Sequence, residues 1–159
     1  MSNFSQKHTK ITTFYLLQGN PPSLKAELRH HSKWKKAILV IPLLASEFTD
    51  PANRPVFINI IKQLRGTSFL SKIVFGLDQA SEADARDLAG ILSDHDMKNC
   101  LIQHNDGPGF SSIYETLSRE GFALDIRGKG RNMFLSFGIA LALGAQSIEI
   151  GRASCRERV

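Results

Sequence analysis

The sequence predicts an α/β fold, a mostly parallel sheet flanked by helices. Three observations carry that prediction. The continuous apolar run 37–41 reads as a strand buried on both faces, the kind found in parallel sheets; 72–77 reads as a second buried strand and 99–104 as a third strand. Segments with helical spacing separate them, so strand and helix alternate as in βαβ units. Late in the chain, Gly128-Lys129-Gly130-Arg131-Asn132 runs into the apolar stretch 133–143. A basic, glycine-flanked loop before a buried helix is where such folds place an anion, because free N–H groups and the positive dipole end face outward there.

Taken in order, residues 11–17 are β-branched and aromatic and predict a short strand, broken by Gly19-Asn20-Pro21-Pro22. Residues 23–31 suit a short helix with Leu24 and Leu28 on one side, and adjacent His30 and His31 read as surface residues. Ala37-Ile38-Leu39-Val40-Ile41 is the first buried strand, ended by Pro42, with a loop over 43–49. Asp50-Pro51 marks a capped helix start that Asn53 and Pro55 are able to shift. Val56, Ile60, Ile61 and Leu64 form its stripe, and Gly66 closes it. The second strand, 72–77, runs into Asp78. Ser81 with Asp84 then resembles a capping box for a helix that buries Leu88, Ile91 and Leu92.

The third strand, 99–104, ends in the turn cluster Asn105-Asp106-Gly107-Pro108-Gly109. Ile113, Leu117 and Phe122 suggest a further helical turn or two. Met133, Phe134, Phe137, Ala140 and Leu141 predict a helix apolar nearly all round, hence buried. A last strand starts at Ser147-Ile148. In parallel sheets the ligand crevice lies beyond the carboxyl ends of the strands, which here carry Pro42–Glu47, Asp78 and 105–108.

Composition narrows the function classes. With 159 residues, 42% of them hydrophobic, the chain can build one domain with a real core. No apolar run is long enough to span a bilayer, and the first residues lack the apolar segment of a signal peptide. Cys100 and Cys155 are too few for a disulfide framework, which fits a cytoplasmic setting. The formal charge of +5 is concentrated early, where Lys7, Lys10, Lys25, Arg29, Lys33, Lys35 and Lys36 face only Glu27. Aromatic residues are few there and no nucleic-acid reader motif appears, so the segment reads as a solvated face.

Standard motifs are excluded one by one. A Walker A loop fails because Ala123 holds the earlier glycine position and Gly130 follows the lysine; a dinucleotide fingerprint fails at Met133. There is no Gly-x-Ser-x-Gly, no His-Glu-x-x-His and no Cys-x-x-Cys. His104, at a strand end, reads as a hydrogen-bonded structural histidine, and Cys100 as a small core residue.

The ordered set Leu39-Val40-Ile41-Pro42 with Ser46-Glu47, then 74–81 (Val-Phe-Gly-Leu-Asp-Gln-Ala-Ser), Asn105-Asp106-Gly107-Pro108 and Gly128-Lys129-Gly130-Arg131-Asn132 resembles nucleotide-sugar glycosyltransferases of the GT-A fold, of the glucosyl-3-phosphoglycerate synthase and mannosylglycerate synthase type. The resemblance covers about residues 11–148 and implies a truncated, Rossmann-like donor-binding half. A basic extension (1–36) would precede the donor-nucleotide-binding part (37–148), with a tail (149–159) after it. Pro42, Leu44 and Glu47 would line the nucleoside pocket, with Asp78 by the base or ribose. Lys129, between Gly128 and Gly130, would meet the diphosphate, with Arg131 assisting. The implied reaction is retaining transfer of a hexose from a nucleoside diphosphate sugar to a small acidic acceptor such as 3-phosphoglycerate or glycerate. A homodimer is compatible with the sequence and not required by it.

The resemblance also implies Mg²⁺ or Mn²⁺, held by an Asp-x-Asp-type motif after the strand that starts at Ser147. That motif is absent: no aspartate follows Asp125, and the catalytic acids remain unassigned. Residues 149–159 leave the apolar rhythm and carry Arg152, Arg156 and Arg158, like translated sequencing-adapter read-through. The expectation is that this tail is non-native, that the natural protein continues, and that the chain as written is inactive in transfer. The alternative reading is a non-catalytic nucleotide-binding α/β module.

Overall fold

The computed structural model describes residues 21–124 and 126–152. The strand expected over 11–17 and residues 153–159 of the expected tail lie outside them. The element order is α1 (Pro21–His31), β1 (Ala37–Leu44), α2 (Ser46–Thr49), α3 (Arg54–Leu64), β2 (Lys72–Asp78), α4 (Glu82–Asp94), β3 (Cys100–His104), a short 3₁₀ turn (Pro108–Phe110), α5 (Ser111–Arg119), α6 (Lys129–Ala142) and β4 (Ser147–Ile150). The four strands form one parallel sheet in the order β3-β2-β1-β4. The chain adds strands in one direction from β1 to β3, then returns to the other side of β1, which makes a topological switch point beside β1.

Strand periodicity divides the core into two layers. On one face Ile41, Leu43, Ile73, Phe75 and Leu77 pack with Phe48, Phe57, Ile61, Leu88, Ile91 and Leu92. On the other, Ile38, Val40 and Val74 pack with Ala140, supported by Met133 and Phe137. Both strand faces are covered, as the unbroken apolar runs require.

Several local expectations need correction. β1 does not stop at Pro42 but continues to Leu44, paired residue for residue with β2. Residues alternate sides in a parallel strand. Ala37 accepts from Ser71 on the β2 side, whereas Val40 accepts from Gly151 on the β4 side. Pro42 shares the parity of Val40, and β4 pairing ends at Val40, so its missing N–H removes no ladder bond.

The helix expected from Asp50 starts at Arg54. Asn53 precedes it, Pro55 lies in its first turn, and the Asp50 carboxylate accepts instead from the Ala52 N–H at 2.8 Å. Its buried side chains are Phe57 and Ile61, packed in the sheet-facing core, while Val56 is exposed. The expected all-buried helix is α6, and Phe134 and Leu141 on it, with Leu143 just after it, are exposed. It covers one face of a four-stranded sheet with no further layer over it among the described residues. Its inward stripe is Asn132, Leu135, Ser136 and Ala140. The turn anticipated around Ile113 is α5, which buries none of its side chains. Glu149 and Ile150 pair in register with Leu39 and Val40, so β4 runs past the point where the apolar rhythm breaks.

One buried amide fixes α6 to the sheet. Asn132 Nδ2 donates to the Gly76 carbonyl, and Ser136 Oγ lies 3.2 Å from Asn132 Oδ1. Gly76 is required by this contact: a Cβ there would fall on the Asn132 amide oxygen and 2.6 Å from Ser136 Oγ. We expect Gly76→Ala to cost about 1–3 kcal/mol of stability by overpacking. Asn132→Ala should cost less in the Gly76→Ala background than alone, because the clash is then relieved. Chemical denaturation of the two single variants and the double variant measures that coupling.

The capping box of α4 forms as expected. Ser81 Oγ and the Ser81 N–H donate to Asp84 at 2.7 and 2.8 Å. These hydrogen bonds hold the Asp84 carboxyl below its ordinary value of 3.8. A carboxyl lowered in the folded state stabilises above its unfolded value, and that stabilisation is lost as pH falls through the folded value. Asp84→Asn should therefore flatten the acid limb of stability below pH 3.8, read by thermal melting against pH.

Candidate donor-binding site

The site is assembled at the carboxyl ends of the strands. Asp78, the last residue of β2, shares parity with Val74 and Gly76 and so projects toward α6. Arg131, in the first turn of α6, meets it there in a hydrogen-bonded ion pair between Nη2 and Oδ1. The pair is buried, with 7% of the Arg131 side chain and 1% of the Asp78 side chain exposed. Burial opposes the guanidinium charge, but the Asp78 hydrogen bond and charge outweigh it and hold the Arg131 pKa above its ordinary value.

A second carboxylate gathers the surrounding loops. Asp106, just after β3, accepts from the Ala80 N–H at 3.3 Å and lies 3.5 Å from Arg131 Nη2 and 3.4 Å from Arg127 Nη2. Tyr114 of α5 places its ring 5.5 Å from the Arg131 guanidinium carbon, and its hydroxyl donates to the Asn105 carbonyl at 2.9 Å. Burial pushes the Tyr114 phenol up. Gln103 Nε2 donates to Asn105 Oδ1 at 2.6 Å beneath this corner.

Lys129, by contrast, is exposed at the first position of α6. Gly128 before it has φ 147°, a conformation that L side chains rarely adopt, which is why glycine stands there. The expected loop Gly128–Arg131 is thus one glycine followed by the first helical turn. A cavity of about 650 Å³ opens beside Asn105, Asp106, Tyr114, Arg127 and Arg131. A second, of about 390 Å³, opens over Arg127, Gly128, Gly130 and Phe134.

The first-strand residues reach the same end of the sheet. Pro42 pairs with Gly76 and Leu44 with Asp78. Leu44 is exposed, and Glu47 is half-buried in α2. Leu44, Asp78 and Arg131 are therefore linked by one register pair and one ion pair, with Gly128, Lys129 and Gly130 on the same turn as Arg131. Arg127, Asp106 and Tyr114 escaped sequence reasoning as individual site residues. The turn at 105–108 marked Asp106 as a strand-end polar residue, Arg127 adjoins the glycine motif, and nothing in the sequence marked Tyr114.

The other polar candidates hold the scaffold. His104 Nε2 lies 2.9 Å from the Ala80 carbonyl, a structural hydrogen bond as expected. The Cys100 thiol donates to the Met97 carbonyl at 2.9 Å, and burial raises its pKa, which suits a packing role. Among the described residues no group of His, Cys, Asp and Glu is arranged to hold a metal ion, so the Mg²⁺ or Mn²⁺ implied by the resemblance has no site among them. No helix among them is long and apolar enough to cross a membrane.

Fold and local geometry together define the class: a parallel α/β unit of the Rossmann-like kind, with a cationic glycine turn before α6. The particular likeness is to glucosyl-3-phosphoglycerate synthase from Persephonella marina, 33% identical over 142 residues. The match takes in 89% of this chain and bears out the resemblance drawn from the motifs. The chain spans about a third of that relative's length, 34%. No protein-family profile matches the chain, and no solved structure does.

The ion pair yields a prediction. Asp78→Ala leaves a buried guanidinium without its main partner and should cost about 3–5 kcal/mol in guanidinium unfolding. Replacing both residues by apolar ones, Asp78→Leu with Arg131→Met, should cost less than the sum of Asp78→Ala and Arg131→Ala.

Proposed function

We propose that the chain is the donor-binding part of a glycosyltransferase that moves a glucosyl group from a nucleoside diphosphate sugar to 3-phosphoglycerate. The observation that carries this reading is the exposed Lys129 at the start of α6, at the carboxyl end of a parallel sheet, in a chain similar to a glucosyl-3-phosphoglycerate synthase. Breaking the bond between the sugar C1 and the diphosphate oxygen leaves a nucleoside diphosphate. A cation held against that growing negative charge lowers the barrier, and the α6 dipole acts in the same direction.

In this reading Gly128 and Gly130 let the diphosphate approach the backbone. Pro42, Leu44 and Glu47 border the nucleoside. Asp78 supports that pocket from beneath, because its side chain is buried against Arg131. Arg131 fixes the first turn of α6 through its ion pair with Asp78. The chain spans about a third of that relative's length, 34%, so donor binding rather than complete transfer is assigned to this polypeptide.

Calorimetric titration of the chain with UDP, GDP and ADP tests the reading. At least one should bind, and Lys129→Ala should weaken it about 10- to 100-fold by removing a charge-assisted contact to phosphate. If none of the three binds, the donor-site reading falls.

A further inference from the structure

Two arginines flank Lys129, and the structure treats them differently. Arg131 is buried, and its guanidinium is already engaged by Asp78 with Asp106 3.5 Å away. Arg127 has 62% of its side chain exposed and makes one looser ion pair, 3.4 Å from Asp106 Oδ1. Like Arg131, it lines both cavities, the one beside Asp106 and the one over the glycine turn, but unlike Arg131 it is mostly in solvent. Exposed ion pairs of this kind are weak. If Arg127 leaves, Asp106 keeps the Ala80 N–H and Arg131 as partners.

We propose that Arg127 is a second phosphate-binding residue, held on Asp106 in the free protein and transferred to the donor diphosphate when it binds. The inference rests on the donor-site reading above. A diphosphate carries more negative charge than one carboxylate and offers the guanidinium a bidentate contact, so it outcompetes Asp106 for a partner that is already half in solvent. Asp106 then acts as a positioning residue. It stores Arg127 beside the glycine turn and sets how much of the diphosphate's attraction goes into releasing it.

This arrangement makes an unusual demand on Asp106. As a mere structural support, its loss would weaken binding. As a competitor for Arg127, its neutralisation frees the arginine and tightens binding. Inorganic pyrophosphate is the probe, titrated calorimetrically into the full chain and its variants, with melting temperatures taken alongside. Arg127→Ala should weaken pyrophosphate binding about tenfold. Asp106→Asn retains an oxygen for the Ala80 N–H, and it should tighten binding about threefold by removing the competing charge. In the Arg127→Ala background, Asp106→Asn should give no such gain.

Loss of binding in Lys129→Ala together with wild-type affinity in Arg127→Ala would overturn this inference and leave the donor site standing. Absence of pyrophosphate and nucleoside diphosphate binding by the unmodified chain would instead overturn the donor-site reading itself. If Asp106→Asn melts so low that it cannot be titrated, the Arg127→Ala affinity decides alone.

Discussion

The Asp78–Arg131 pair is the constraint on which the carboxyl end of the sheet depends. It joins the last residue of the central strand β2 to the first turn of α6, and so fixes where a helix that starts after a long, irregular connection meets the sheet. Buried charges tolerate little displacement, since separating them strands each in a medium that solvates it poorly. The pair therefore locates Lys129 far more narrowly than apolar packing along α6 would. Asn132 and Ser136 extend the same attachment one turn further down, onto Gly76.

Consecutive residues of α6 thus divide the labour. Gly128 supplies a backbone conformation, Lys129 and Gly130 face outward, and Arg131 and Asn132 face the sheet. A helix turns through about 100° per residue, so a short basic motif at its start cannot deliver all its charges to one ligand. The motif that looks like a cluster of cations in one dimension is in three dimensions one solvent-facing ammonium and one internal fastening.

Much of the fold was legible because the physics behind it is local. The runs 37–41 and 72–77 had to be buried strands, and Ser81 with Asp84 had to open a helix. The placement of Asp78 and Pro42 at the carboxyl ends of the strands followed from strand direction alone. What could not be read was set by tertiary partners. Phe134 and Leu141 looked internal because their neighbours are apolar, yet which side of α6 is covered depends on the sheet beneath it. The ion pair of Arg131 could not be read because nothing in its surroundings in sequence discloses Asp78, 53 positions earlier. Tyr114 was silent for the same reason: its partners, Arg131 and the Asn105 carbonyl, are brought to it by the turn of the chain after β3.

Pro42 has a further consequence for how β1 finds its place. Parallel strands buried on both faces are poorly protected against slipping by one position, because Ile, Leu and Val suit either side. A single-step slip of β1 would turn Pro42 toward β2, where a donor is needed, and would cost a ladder hydrogen bond in the middle of the sheet. It would also exchange Ile38 and Val40 with Leu39 and Ile41 between the two core layers. An imino acid set inside an otherwise featureless aliphatic strand thereby acts as a frame mark during folding: only one of the two parities lets β1 zip fully against its neighbour.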